Sequence, residues 1–98
     1  MVTTAECPDL RPAVPVDTPK PPYPSEVRHL HIEGKVVVEG IVNTDGSVSD
    51  LQIIRSADPW LTKITLGAVG KWRYKPALCH DERVRVRFTT TASFFLEE

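Results

Sequence analysis

The longest regular pattern in the chain lies near its end. Val84, Val86, Phe88, Thr90, Ala92, Phe94 and Leu96 fall on one parity, and Arg85, Arg87, Thr89, Thr91, Ser93 and Phe95 fall on the other. Alternation of this length predicts a strand with one buried face and one polar face, spanning 84–96. Two shorter β-branched runs stand upstream, at 35–43 and 48–55, with Leu51 and Ile53 on one face of the second. Asn43-Thr44-Asp45-Gly46-Ser47 separates them, and Asp-Gly is a hairpin signal because glycine accepts positive φ at little cost. A helix over 60–71 follows from Ser56-Ala57-Asp58-Pro59, a polar cap candidate with proline in the first turn. Its apolar stripe is Leu61, Ile64, Ala68 and Trp72. Gly67 and Gly70 weaken it by about 1 kcal/mol each relative to alanine, a cost that suggests close approach of helix to sheet. Trp72-Arg73-Tyr74-Lys75-Pro76 closes this helix, and 77–83 reads as a loop. Pro24-Ser25-Glu26 opens a shorter helix over 25–31, with Val27, Leu30 and His31 at helical spacing and Gly34 beyond its end. The predicted order is helix, strand, turn, strand, helix, strand. That is an α+β domain with both helices on one face of the sheet.

Proline changes the picture at the other end. Pro8, Pro12, Pro15, Pro19, Pro21, Pro22 and Pro24 account for all but Pro59 and Pro76. Each fixes φ and removes a donor, so this stretch is extended or irregular and never helical. Residues 1–22 therefore read as an arm or linker and 23–98 as the folded unit, near the lower size limit for independent folding. With 98 residues, 41% apolar and 26% charged, the chain is one globular domain at most. Twelve Lys and Arg against thirteen Asp and Glu leave a net charge of −1, with no basic excess to grip nucleic acid. Apolar runs reach only three residues, as in Val36-Val37-Val38, far short of a membrane span, and residues 1–8 lack the apolar stretch of a secretory signal. A cytosolic protein and a piece of a longer envelope protein both fit.

Candidate chemistry is sparse. His29 and His31 are separated by one residue, and Cys79-His80-Asp81-Glu82 offers metal-capable groups, but neither matches a zinc spacing. There is no glycine-rich phosphate loop and no nucleophile with a partner set. The expectation is a non-enzyme without cofactor or metal. Cys7 and Cys79 would be free thiols in a reducing compartment and a natural pair in an oxidising one.

Tyr23-Pro24, Glu33-Gly34-Lys35-Val36, Asp45-Gly46-Ser47-Val48, Ser56 and Trp72-Arg73-Tyr74-Lys75-Pro76 occur in that order. Over residues 20–96 the chain resembles the C-terminal domain of TonB-type energy transducers. The resemblance implies a periplasmic domain with two helices packed on a three-stranded antiparallel sheet. In that family a membrane anchor and a proline-rich spacer precede the domain, and the anchor meets an inner-membrane, proton-driven motor. This chain has a short proline-rich stretch and no anchor, so it reads as a fragment of a transducer or as a relative without the motor connection.

The implied task is to bind the TonB box, an extended peptide of an outer-membrane transporter, and to pass force to the transporter's plug. The receiving edge would be the last strand, through Arg85, Val86, Arg87, Phe88, Thr89, Thr90 and Thr91. The positions before the Tyr-Pro, here Lys20, Pro21 and Pro22, would also touch the peptide. Relatives often carry an amide side chain there, so strand pairing rather than side-chain contact is the part that transfers. Tyr23, Pro24, Gly34, Asp45, Gly46, Trp72, Arg73, Tyr74 and Pro76 would be structural: rings for the core, an arginine making a hydrogen bond or ion pair, and a turn. The Arg85/Arg87 face fits an ordinary solvated face equally well. In the implied oxidising periplasm Cys7 and Cys79 would be bridged, and closing about 73 residues adds about 4 kcal/mol on chain-entropy grounds. The open edge also allows a homodimer by strand exchange. The competing function is a stand-alone envelope scaffold or receptor-ectodomain module using the same fold for other protein contacts.

Overall fold

The apolar faces read from the sequence meet on one side of a three-stranded antiparallel sheet. A computed structural model describes residues 6–96; residues 1–5 of the expected arm and 97–98 of the expected domain lie outside the described residues. In chain order the elements are β1 (Val14–Asp17), α1 (Ser25–His29), β2 (Gly34–Val42), β3 (Val48–Ser56), α2 (Pro59–Val69), β4 (Arg73–Lys75), β5 (Ala77–Cys79), β6 (Glu82–Val84) and β7 (Val86–Phe94). The main sheet has the order β3-β2-β7. Two small antiparallel pairs, β1-β4 and β5-β6, flank it.

The two flanks of β2 differ. With β7 it pairs in unbroken register from Gly34↔Phe94 to Val42↔Val86. With β3 the register shifts twice, between Val37 and Val38 and between Glu39 and Ile41. The extra residues fall on β3, and Asp50 at the second shift has φ 51°. Such bulges kink and twist the strand that carries them.

Alternation places Val36, Val38 and Val42 on the inward face of β2, all fully buried. Opposite them α2 contributes Leu61, Thr65 and Val69, and Val27, Trp72 and Phe94 complete the core. The buried Thr65 hydroxyl is satisfied by donating to the Leu61 carbonyl at 2.7 Å. Asp58 caps α2 by accepting from the Trp60 amide at 2.7 Å, with Pro59 in the first turn. Gly40 is a close-approach glycine at the centre of the sheet. A Cβ there would sit 2.6 Å from Leu51 Cδ2 and 2.8 Å from Phe88 Cε1, so the Phe88 ring rests against bare backbone.

Several expected elements differ in detail. α1 stops at His29 rather than residue 31, because His31 turns into positive φ (56°), and Leu30 is exposed. Gly67 is exposed, with open space where its Cβ would be, and marks no helix-to-sheet contact; Gly70 is the C-cap of α2, where a Cβ would lie 3.1 Å from the Leu66 carbonyl oxygen and 4.0 Å from Leu51 Cδ1 of β3. Trp72–Pro76 does not close the helix; its centre is strand β4, paired with β1 inside the supposedly irregular arm. Proline is tolerated in β1 because that strand has one partner only. Residues 77–83 are no loop but most of the β5-β6 hairpin, whose two turn residues, His80 and Asp81, both take positive φ as a tight primed turn requires. The 84–96 strand is interrupted at Arg85: β6 pairs with β5, and β7 with β2.

The two kinds of glycine site give opposite expectations. Gly40→Ala should destabilise the domain by about 1–3 kcal/mol through overpacking against Phe88 and Leu51. Gly67→Ala, in open space on α2, should stabilise it by about 0.5–1 kcal/mol. Urea denaturation of both variants beside the parent reads the two signs directly.

Candidate functional site

Among the described residues, β7 has β2 on one side and no strand on the other. Along that open side runs a groove of about 370 Å³. Thr18, Lys20 and Pro21 of the arm form one wall, Thr90–Phe94 of β7 form the other, and Val69 and Trp72 lie between. Val69, Trp72 and Phe94 are buried residues, so an apolar floor lies beneath a rim that carries Lys20, Thr91 and Ser93.

The arm wall is held in several ways. Trp72 Nε1 donates to the Pro19 carbonyl at 2.9 Å, spanning 53 residues of sequence. β1 pairs with β4 through Val14↔Lys75, Pro15↔Tyr74 and Asp17↔Arg73. Arg11 and Leu78 exchange backbone hydrogen bonds of 2.8 and 3.0 Å. Finally, Cys7 and Cys79 form a disulfide, with Cα atoms 6.0 Å apart.

The Trp72–Pro76 block explains its own composition once this geometry is in view. Trp72 and Tyr74 turn inward while Arg73 and Lys75 stay exposed, as strand alternation demands. The Tyr74 ring packs on Phe88 at 5.7 Å and lies 6.5 Å from Trp72. Its backbone amide donates to the Gly46 carbonyl at 2.9 Å, so the Asp-Gly turn docks onto β4. Gly46 has φ 86°, and a Cβ there would collide with the Tyr74 carbonyl oxygen. The turn is thus more than a reversal of the chain. Tyr23 packs edge-on against Phe94 at 5.5 Å, donates its hydroxyl to the Ile32 carbonyl at 2.5 Å and lies under the Arg28 guanidinium. Pro24 is the N-cap position of α1, and Gly34 opens β2. Arg73 departs from expectation: among the described residues it makes neither a side-chain hydrogen bond nor an ion pair, and Pro76 simply separates β4 from β5.

Asp45 Oδ1 accepts from the Ser47 hydroxyl at 2.6 Å and from the Ser47 amide at 2.9 Å. These bonds favour the charged form and hold the carboxyl below its ordinary value, with a small contribution from the Arg73 charge. Burial pushes the Tyr74 hydroxyl up.

Of the residues expected to bind a partner, the structure brings Lys20, Pro21, Thr90 and Thr91 to the groove. The others do not line it, although Val86, Arg87, Phe88 and Thr89 belong to the same strand. Arg87 pairs with Glu39 at 3.2 Å, and Arg85 pairs with Asp50 at 3.7 Å and donates to Asn43 Oδ1 at 3.1 Å. Both arginines serve the sheet's outer face. Val86 and Phe88 face the core side, while Pro22 and Thr89 lie outside the groove. Sequence reasoning passed over Thr18, Val69, Ala92, Ser93 and Phe94 as lining residues. Ala92 and Phe94 share the buried parity of the strand and Ser93 stands between them on the exposed one; nothing in the sequence singles out Thr18. Cys7, Cys79 and His80 bring their ligand atoms within 4.8 Å of one another. With the sulfurs joined to each other, neither is a thiolate, and the group offers a cation one imidazole.

The sequence profile of the family described as Gram-negative bacterial TonB protein C-terminal matches residues 19–96. The chain belongs to this family. Among solved structures, the solution structure of the Pseudomonas aeruginosa TonB C-terminal domain superposes with a TM-score of 0.70, at 23% identity over 88% of each chain. The Helicobacter pylori TonB C-terminal domain does so at 0.52, with 29% identity over 80% of this chain and 71% of that one. Among curated proteins none matches. The two-helix, three-stranded α+β fold is that of TonB C-terminal domains, the periplasmic portion of these Gram-negative proteins. Among the described residues no helix is long and apolar enough to cross a membrane.

Two outcomes test this geometry. Trp72→Phe keeps a ring in the core but removes the bond to Pro19, so it should cost about 1 kcal/mol and speed amide exchange across β1-β4. The Asp45 carboxyl is held below its ordinary 3.8, so its stabilising effect is present above that pH and is lost as pH falls through the lower folded value. Asp45→Ala should therefore melt below the parent at neutral pH, and the gap should narrow as the solution is acidified past 3.8.

Proposed function

We propose that this TonB C-terminal domain binds the TonB box of an outer-membrane transporter by strand addition to β7, within an energy transducer that supports active uptake. The observation that carries the reading is the one regular open edge, bulge-free across its whole pairing with β2, lying beside an apolar-floored groove. An added strand needs evenly spaced N–H and C=O groups, which β7 offers and the twice-bulged β3 does not. The affinity comes mainly from main-chain bonds, so it depends little on peptide sequence. Alternate side chains of the added strand would point the same way as Thr90, Ala92 and Phe94, over Val69 and Trp72, which favours apolar residues at every second position. Bonds arranged side by side along a strand share a pull directed along its axis.

Residues 23–98 act as the binding domain in this reading. The 1–22 arm is both the end of a spacer and, from Thr18 to Pro21, one wall of the groove. Connection to inner-membrane motor proteins would run through an anchor upstream of the arm. No catalytic step, nucleic acid or cofactor enters.

The test is a titration against a panel of TonB-box peptides. Consecutive residues of a strand point their amides to opposite edges, so one of Thr90→Pro and Thr91→Pro removes an outward donor and the other a bond to β2. Whichever variant stays folded by circular dichroism should lose peptide binding. Arg87→Ala, whose charge is engaged with Glu39, should change affinity by about 0–1 kcal/mol. Undiminished binding by a folded proline variant removes β7 as the site. A panel without any binder turns the reading toward the scaffold function.

A further inference from the structure

We propose that the Cys7–Cys79 disulfide carries tension from the arm directly into the peptide-receiving strand, leaving the rest of the domain out of the line of force. The inference rests on the transducer reading for the source of that tension. The bond joins residues 72 apart, and the loop it closes contains β1, α1, β2, β3, α2, β4 and β5. A pull applied upstream of Cys7 crosses the two sulfurs to Cys79 and meets only residues 80–85 before it enters β7. The covalent line then continues along the backbone of the strand whose open edge lines the groove. Taking it up requires straightening the short β5-β6 hairpin and nothing in the core.

Without the bond the same pull would travel along the arm. It would fall first on the Arg11–Leu78 bridge, then on the three register pairs of β1-β4, which already contain a shift, and then on the Trp72–Pro19 hydrogen bond. Each of these is a weak hold that can fail singly, since the first is a lone bridge and the last a lone hydrogen bond. Their loss would take Thr18, Lys20 and Pro21 away from the groove and then load Tyr23 and α1. Inside the closed loop those wall residues feel no pull. The disulfide therefore keeps the groove assembled under the very load that its occupant must transmit.

Single-molecule pulling of the oxidised protein tests this, with handles joined to the two termini by ligation chemistry that spares thiols. The comparison is the same oxidised protein with the upstream handle moved to position 20, on an azide-bearing lysine analogue in place of Lys20. Pulling from the termini should show only the small release of the hairpin and no cooperative unfolding step. Pulling from position 20 should peel the arm at lower force, releasing residues 8–19. Both arms keep the disulfide, so neither depends on a cysteine variant that fails to fold. A cooperative unfolding step from the termini, in the force range that peels the arm from position 20, would overturn the bypass. The peptide titration reports on the binding function and the pulling experiment on the force path, so either can fail without the other.

Discussion

Among the described residues β2 is the only strand of the main sheet with a partner on each side, and its inward valines lie at the centre of what the domain buries. Everything else is arranged around that strand. A chain of this length can cover one face of three strands, and two helices do so. A sheet covered on one face and not closed into a barrel necessarily keeps two edges. The architecture therefore turns on how those edges differ. β3 is kinked twice and so offers a poor template. β7 pairs with β2 without a bulge along its whole length, and Gly40 leaves the room beside the backbone that the Phe88 ring occupies.

The Trp72–Pro76 block is the second organising element. One short strand meets three parts of the chain that are distant in sequence. Trp72 holds the arm at Pro19, Tyr74 holds the hairpin turn through Gly46, and the Tyr74 ring carries that contact on to Phe88 of β7. Its inward rings and outward charges follow from its being a strand. A helix end would have needed no such alternation. The density of aromatic residues there has a structural cause, and no chemistry need be sought in it.

Much of the main sheet was legible because its signals are local. Parity identified the buried face of 84–96, and the Asp-Gly pair identified the hairpin between β2 and β3. What escaped were events that depend on partners. Val84 and Val86 share a parity, so the change from β5 to β2 as partner at Arg85 leaves no trace in the alternation. β1 is strand only because β4 lies beside it; a proline-rich segment on its own has no reason to pair. The bulges at Asp50 and Ile54 likewise belong to the pairing and not to the residue pattern. The site was legible to the same extent. Thr90 and Thr91 followed from the strand, while Arg85 and Arg87 looked free for a partner only because Asp50, Asn43 and Glu39 could not be placed opposite them.

If the β7 edge receives a partner strand as proposed, it is also open to unwanted strands, and the groove beside it would have to discriminate by shape. The arm supplies that shape. Thr18, Lys20 and Pro21 stand across the groove from Thr90–Phe94 of β7, with Val69 and Trp72 between them. The wall's position depends on contacts that are individually small, and on one covalent bond that is not. Loop closure of this length adds about 4 kcal/mol on chain-entropy grounds, a large share of the 5–15 kcal/mol by which small domains are stable. In the proposed binding mode, selectivity at the edge, stability of the fold and the route of force would all depend on the same thing: the anchoring of a proline-rich arm that, by its own sequence, would not fold at all.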